Sequence, residues 1–162
     1  VRFVHRSVGT DAIVERYVAG RELYVGVRGN FRLQALPVWE LNFANLPDRA
    51  YPIASARVKW NDAYREKYGI MTGPADLPAE VSHRIQHVAK RVYRTLNLSG
   101  YARIDFRLAG DGRAYVLEAN PNPQLSYGED FAESAEHGGI GYEALLQRIL
   151  GLGLRWRPEQ VG

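Results

Sequence analysis

Two acids and an amide in the second half of the chain could together bind a divalent cation. Asp105 lies in a segment of alternating apolar and charged residues, and Glu118 and Asn120 follow the apolar run 115–117. Carboxylate and amide oxygens are hard donors, which Mg²⁺ prefers while it keeps waters or substrate phosphates at its other positions. These three residues are therefore candidate metal ligands, provided that the fold brings them together.

A predicted β-hairpin would bring them together. Residues 101–109 and 113–120 are patterned as strands, and Asp111-Gly112 between them is a strong signal for a two-residue turn. If this dipeptide forms the turn centre, residues on the two strands face each other in a defined order. The pairs that it implies are Asp105–Glu118, Arg103–Asn120, Ile104–Ala119 and Phe106–Leu117.

The opposed acids need a compensating interaction. Directly opposed residues of an antiparallel pair have Cβ atoms about 5 Å apart, so Asp105 and Glu118 would repel each other. A raised pKa of one carboxyl, the neighbouring Arg103 or a bound cation could each offset the repulsion. The residues alone leave two alternatives open, a magnesium site and an arginine-buffered acidic patch. A register slip of one residue would turn Asp105 away from Glu118.

The rest of the chain predicts an α+β fold with a mainly antiparallel sheet and helices packed on one face. Apolar residues recur at helical spacing over 79–97 and again over 141–152. Residues 69–78, rich in glycine and proline, are predicted to form a loop. Strands besides the hairpin are predicted over 12–18, 22–28 and 31–41, with a further strand ending at 58–60.

Composition narrows the class of protein. The 162 residues are 46% hydrophobic and contain no cysteine, which excludes disulfides, thiolate metal sites and cysteine nucleophiles and fits a cytoplasmic protein. No apolar run approaches the length of a membrane helix. The net charge of +3 comes from scattered basic residues rather than a dense stripe, which disfavours nucleic-acid binding. His83 and His87, four residues apart on a predicted helix, could bind a transition metal or simply form a polar helix face.

The sequence of the predicted hairpin resembles a motif of a known protein family. The metal-binding signature of the ATP-grasp ligases is similar to a motif of this chain, Arg103-x-Asp105, then a hairpin, then Glu118-x-Asn120. The sequence around this motif is most similar to D-alanine–D-alanine ligase-like members. The segment 13–27 resembles the nucleotide-binding strands of that family. The resemblance covers about residues 12–152 and implies the C-terminal subdomain of an ATP-grasp fold.

The resemblance also implies a reaction and its cofactors. In that family, ATP phosphorylates a substrate carboxylate, and an amine then attacks the acyl phosphate. The cofactors implied are ATP and Mg²⁺, with Mn²⁺ as a substitute, and the substrates are a small carboxylate and an amine.

Each site residue takes a role under this resemblance. Asp105, Glu118 and Asn120 would bind the metal, and Arg103 would stabilise the anionic intermediate. The remaining implied contacts are Lys59 to phosphate, Glu15 and the Val18 backbone to the adenine edge, Glu22 to the ribose, and Tyr17 and Leu117 to the base.

The sequence differs from the motifs of the family at two places that affect the choice of substrate. Gln124 stands where a glycine usually follows the proline, although its backbone N–H remains. The segment 129–131 (Glu-Asp-Phe) replaces a serine-containing stretch that holds the terminal carboxylate of D-alanine. Because two acids would repel that carboxylate, we expect a cationic or amine-bearing partner rather than D-alanine.

The chain is expected to be part of a longer ligase. We divide it into an N-terminal extension or truncated upstream segment (1–11), the ATP-grasp subdomain (12–152) and a C-terminal tail (153–162). The substrate domain and the first ATP-grasp half of the family have no counterpart here, so we expect the chain to need that half for turnover. The alternatives are a non-enzymatic MgATP-binding or interaction module and a basic nucleic-acid-binding domain, and a homo-oligomer stays open.

Overall fold

The computed structural model describes residues 1–47 and 50–157, and within them it confirms the α+β class. Six strands form one antiparallel sheet in the order β4-β3-β1-β5-β6, with the short β2 also paired to β1. The strands are β1 (Arg21–Arg28), β2 (Gln34–Ala35), β3 (Trp39–Phe43), β4 (Ile70–Pro74), β5 (Tyr101–Leu108) and β6 (Ala114–Asn120). The helices are α1 (Arg2–Ser7), α2 (Ala56–Trp60), α3 (Asp62–Lys67), α4 (Ala79–Thr95), α5 (Asp130–His137) and α6 (Tyr142–Leu154).

The longest predicted helix is confirmed as α4, which covers one face of the sheet. Its apolar stripe places Ile85, Ala89 and Tyr93 against the sheet, where all three are buried. The central strand β1 contributes alternate residues to the same core, because successive side chains of a strand point to opposite faces. The buried members from the sheet include Leu23, Val25, Val27, Ala102, Ile104 and Phe106.

The opposite face of the sheet carries the polar side chains, with helices packed at its sides. Val58 of α2 packs with Tyr24, Trp39 and Leu41. On the other side Phe131 of α5 lies over β1 at Gly26, where a β-carbon would stand 2.9 Å from the phenyl ring and 2.6 Å from Leu36. Glycine therefore allows α5 to approach the sheet this closely.

We expect Gly26→Ala to destabilise the chain by about 1–3 kcal/mol, because the added methyl overpacks the contact between β1 and α5. Gly73→Ala in β4 is the matched control, since a β-carbon there meets no atom within 4 Å. Urea denaturation of both variants measures the difference. Equal free energies of unfolding for the two variants would contradict this expectation, since they would show that α5 can move to accommodate the methyl group without loss of stability.

Two predicted strands are wrong. Residues 12–18 form no strand, and Ile13 and Val14 are 90% and 77% exposed. They find no place beside β1, because β1 is already paired on both sides, by β3 and β2 and by β5. Residues 58–60 belong to helix α2 instead, since an apolar run this short does not distinguish the two structures.

Proline and glycine also misled the prediction around the third and fourth strands. The segment predicted as one strand over 31–41 is broken at Pro37 into β2 and β3. Residues 70–74, predicted as loop, form β4 despite Gly73 and Pro74. Because β4 is an edge strand, it tolerates a proline that donates no ladder hydrogen bond.

The chain end was predicted only in part. The helix expected over 141–152 is confirmed as α6, which extends to Leu154. The tail expected over 153–162 lies outside the described residues from 158 onward. No helix of the described ranges is long and apolar enough to cross a membrane.

Candidate functional site

The hairpin register places the candidate metal ligands together, as predicted. Asp105 pairs with Glu118, and Arg103 pairs with Asn120 across β5 and β6. Asp105 is buried on the inner strand and Glu118 is exposed on the edge strand. The sheet therefore presents two carboxylates and one amide at the same end of this hairpin.

The turn that produces this register differs from the predicted one. The backbone N–H of Ala109 donates to the Arg113 carbonyl, and that of Gly112 to the Ala109 carbonyl, both at 2.9 Å. The turn centre is therefore Gly110-Asp111, and Gly112 follows with φ +81°, a left-handed conformation that suits glycine.

A β-bulge compensates for the longer turn. The register shifts between Asp105 and Phe106, so that Phe106 pairs with Val116. The predicted Phe106–Leu117 pair is thus wrong, because Leu117 is the extra residue of the bulge. The bulge restores the opposition of Asp105 and Glu118 that the two-residue turn implied.

Arg103 supplies the compensating charge for the two acids. Its Nε and Nη2 donate to the two carboxylate oxygens of Asp105 at 2.8 and 2.9 Å. The guanidinium also stacks over the Tyr24 ring, 4.5 Å from its centroid. Burial disfavours the charge of Arg103, but the hydrogen bonds to Asp105 and the charges of Asp105, Tyr24 and Asp130 together outweigh it and raise the arginine pKa.

The pKa of Asp105 is raised above its ordinary value of 3.8. Burial is the largest cause, Arg103 opposes it, and the nearby charges of Glu118 and Glu22 add to it. The charged form of Asp105 is therefore less favourable here than for an aspartate in water, and a further cation would favour it.

This shift predicts how the stability of the ligand-free chain depends on pH. With its pKa raised in the folded state, Asp105 stabilises the fold below about pH 3.8 and loses that contribution as pH rises through the folded value. The free energy of unfolding of the wild type, relative to Asp105→Asn, should therefore fall as pH increases through this window. Denaturant titrations at several pH values measure it, and a relative stability that rises with pH would contradict the assignment.

A second ion pair lies beside the first on the same face. Arg107 of β5 and Glu22 of β1 are direct cross-strand partners, both buried, with Nη2 2.9 Å from Oε2. The Tyr24 hydroxyl donates to the other oxygen of Glu22 at 3.0 Å. Burial, then Glu22 and Asp105, raise the pKa of Tyr24, so the phenol stays neutral. The carboxylate predicted to bind the ribose is thus fixed by two protein donors.

Arg107 also holds the loops around this carboxylate, and sequence reasoning did not single it out. Its Nη1 donates to the carbonyls of Pro52 at 2.8 Å and Gly20 at 3.2 Å. Its guanidinium lies 5.9 Å from the Tyr17 ring, which packs edge-on against Tyr51. Strand alternation could have indicated it, because Arg107 lies two residues beyond Asp105 and four beyond Arg103 and therefore points to the same face of the strand.

The residues predicted to contact the adenosine lie less close together than the candidate metal ligands do. Glu15 is exposed, and Val18 is half-buried in the same irregular segment. Leu117, at the bulge, is 50% exposed on the edge strand β6. Only Tyr17 of this group is held to the Glu22 region, through its contact with Arg107.

A cavity of about 400 Å³ opens on this face and brings Lys59, Arg103 and Asn120 together. Helix α2 delivers Lys59, and the hairpin delivers the other two residues. The sequence did not point to Arg65 and Thr72, which also line the cavity. The other lining residues are Tyr24, Leu41, Ala54, Val58, Asn122, Gln124, Gly128, Glu129 and Asp130.

The donor set fits a magnesium ion in its chemistry. Within residues 1–47 and 50–157 no group of three or more acids or histidines could hold a metal, so the set consists of two carboxylates and the Asn120 amide. Mg²⁺ in proteins typically takes one or two carboxylates together with waters and phosphates. A cation here would compete with Arg103 for Asp105, while the Asn120 oxygen already accepts the Asn122 N–H at 2.9 Å.

The sheet, its hairpin and this cavity define the ATP-grasp type of fold, and comparison with known proteins identifies the family. Residues 5–151 match the family model described as D-ala D-ala ligase C-terminus. The chain belongs to this family, which confirms the resemblance drawn from the sequence.

Similar individual proteins support the same family assignment. D-alanine–D-alanine ligases of Desulfotalea psychrophila and Geobacillus kaustophilus are each 32% identical, over 97% and 91% of this chain and 47% and 38% of their own lengths. A crystal structure of the Bacillus anthracis D-alanine–D-alanine ligase complexed with ATP superposes with a TM-score of 0.67 at 26% identity, over 90% of this chain and 42% of that one. The chain thus spans less than half the length of these relatives.

Proposed function

We propose that this chain is the MgATP-binding part of an ATP-dependent carboxylate–amine ligase. The observation that carries the proposal is the convergence of Lys59, Arg103 and Asn120 on one cavity beside the opposed acids Asp105 and Glu118. The ATP complex of the structurally similar Bacillus anthracis ligase supports a nucleotide at this fold.

The proposed reaction has two steps. The terminal phosphoryl group of ATP passes to a carboxylate oxygen, which gives an acyl phosphate and ADP. The nitrogen of a neutral amine then forms a bond to the acyl carbon, inorganic phosphate leaves, and the nitrogen loses a proton to give the amide. Both steps build up negative charge on oxygens, which fixed cationic groups stabilise.

The proposed roles follow from where the charges lie. Asp105, Glu118 and Asn120 would hold Mg²⁺ or Mn²⁺, which when bound would neutralise phosphate charge. Lys59 would contact phosphate oxygens as a mobile point charge. Arg103, fixed by its stacking on Tyr24, would stabilise the anionic acyl phosphate.

The adenosine is proposed to bind on the same face of the sheet. Glu15 and the Val18 backbone would recognise the adenine edge, while Tyr17 and Leu117 would pack on the base. Glu22, fixed by Arg107 and Tyr24, retains free lone pairs on its carboxylate for the ribose hydroxyls. The exposed segment carrying Glu15 would then order on the nucleotide. Because the reaction consumes ATP, we propose a cytoplasmic location.

Isothermal titration calorimetry tests the binding half of this proposal. MgATP should bind, while ATP in the presence of EDTA should bind markedly less, because the carboxylates repel phosphates without the cation. Binding that is indifferent to magnesium would contradict it. Chemistry is tested separately: with the upstream half of the ligase fold supplied, phosphate release should require both a carboxylate and an amine.

A further inference from the structure

The cavity beside Arg103 is lined by charges of both signs, which different segments of the chain contribute. Helices α2 and α3 contribute the cations Lys59 and Arg65, while the segment that enters α5 contributes Glu129 and Asp130. Within the ranges that the structure describes, Lys59, Arg65 and Glu129 take part in no ion pair. Charges that line a cavity without partners are available to a ligand.

Arg103 forms only a loose ion pair with one of the two acids, Asp130. Its guanidinium is engaged by both oxygens of Asp105, and its nearest approach to Asp130 is 3.8 Å, beyond hydrogen-bond distance. Glu129 stands at the N-cap position of α5, yet its side chain makes no capping hydrogen bond. Among the described residues, Glu129 therefore lines the cavity without an ion-pair partner, and Asp130 lines it with only a loose pairing to Arg103.

The chemistry of the second reaction step indicates which group these acids bind. A carboxylate beside an ammonium raises the ammonium pKa and keeps it protonated. The attacking nitrogen must be neutral, so a pair of acids around it would slow the attack. One acid could serve as a proton acceptor, but the pair suits a cationic group that does not react.

We propose that the acceptor amine carries a second cationic group, as a basic amino acid or a diamine does, and that this group binds beside Glu129 and Asp130. The proposal rests on the ligase function proposed above and names its acceptor class. Lys59 and Arg65, which α2 and α3 contribute to the same cavity, would bind the anionic part of the reactants. The cavity of about 400 Å³ has room for such a two-ended molecule.

Two amino acids of the same carbon skeleton provide the test. DL-ornithine carries a terminal amine that DL-norvaline lacks, and each is titrated into the ¹⁵N-labelled chain while the amide signals of Gly128, Glu129 and Asp130 are followed. Ornithine should bind at least about fivefold more tightly than norvaline. This ratio corresponds to the upper part of the range measured for solvent-accessible ion pairs. Glu129→Gln should bring ornithine close to norvaline, while Glu133→Gln, one turn further along α5, should leave the difference intact.

Equal dissociation constants for the two amino acids, an absence of shifts at these amides, or an unaltered difference in Glu129→Gln would each overturn the proposal. A MgATP titration of the same samples separates it from the parent function. If MgATP binds and ornithine has no advantage, only the acceptor class is wrong. If ornithine is preferred and MgATP does not bind, the ligase function is wrong and the cation site stands.

Discussion

Replacing Arg107 with leucine is expected to lower the free energy of unfolding by about 3–5 kcal/mol, because it leaves the buried Glu22 carboxylate without its counter-ion. Arg107 and Glu22 are 4% and 5% exposed, and their ion pair is 2.9 Å long. The substitution also removes the hydrogen bonds that Arg107 donates to the carbonyls of Gly20 and Pro52. Guanidinium denaturation followed by far-UV circular dichroism measures the loss.

A double variant shows whether the unpaired charge is the cause. Glu22→Gln removes the charge but keeps an oxygen for the Tyr24 hydroxyl, so Glu22→Gln/Arg107→Leu should be more stable than Arg107→Leu alone. Arg113→Leu, on the exposed end of the same hairpin, is the control and should change stability little. An Arg107→Leu variant as stable as the wild type would refute the role of this pair.

Replacing Glu118 with glutamine is expected to weaken MgATP binding at least about tenfold, because it removes one of only two carboxylates in the proposed metal site. Glu118 is exposed on the edge strand, so the variant should fold normally. Its loss also removes a charge that raises the pKa of Asp105, which should lower that pKa. Calorimetry of the variant against the wild type measures the affinity.

A matched acid elsewhere controls for net charge. Glu136→Gln, an exposed residue of α5 outside the cavity, should leave MgATP affinity unchanged. If Glu118→Gln and Glu136→Gln behave alike, the metal does not bind at the hairpin.

The sequence predicted the hairpin well because its signals are local. Alternation and a glycine turn specify which residues share a strand face, and this was enough to bring Asp105 and Glu118 together. The details differed in two ways that cancelled, since the longer turn around Gly110 and the bulge at Leu117 shift the register in opposite directions. Pattern reasoning has no means to foresee a bulge, because bulges depend on packing.

Contacts between distant segments could not be predicted from pattern. The Arg107–Glu22 pair requires the register of β1 against β5, two strands far apart in the chain. Lys59 was placed at the phosphate by resemblance alone, although its segment proved to be a helix rather than a strand. The mostly exposed residues 12–18 alternate as a strand does, yet the sheet has no open edge for them beside β1. Alternation shows a preference, and pairing decides the structure.

Paramagnetic relaxation by Mn²⁺ tests the central claim most directly, because it locates the metal on the chain. With ATP present, substoichiometric Mn²⁺ should broaden the amide signals of residues 103–106 and 117–121 first, and Glu118→Gln should abolish that selectivity. Broadening confined to the helix around His83 and His87, or spread evenly over the surface, would contradict a magnesium-nucleotide site at the β5–β6 hairpin.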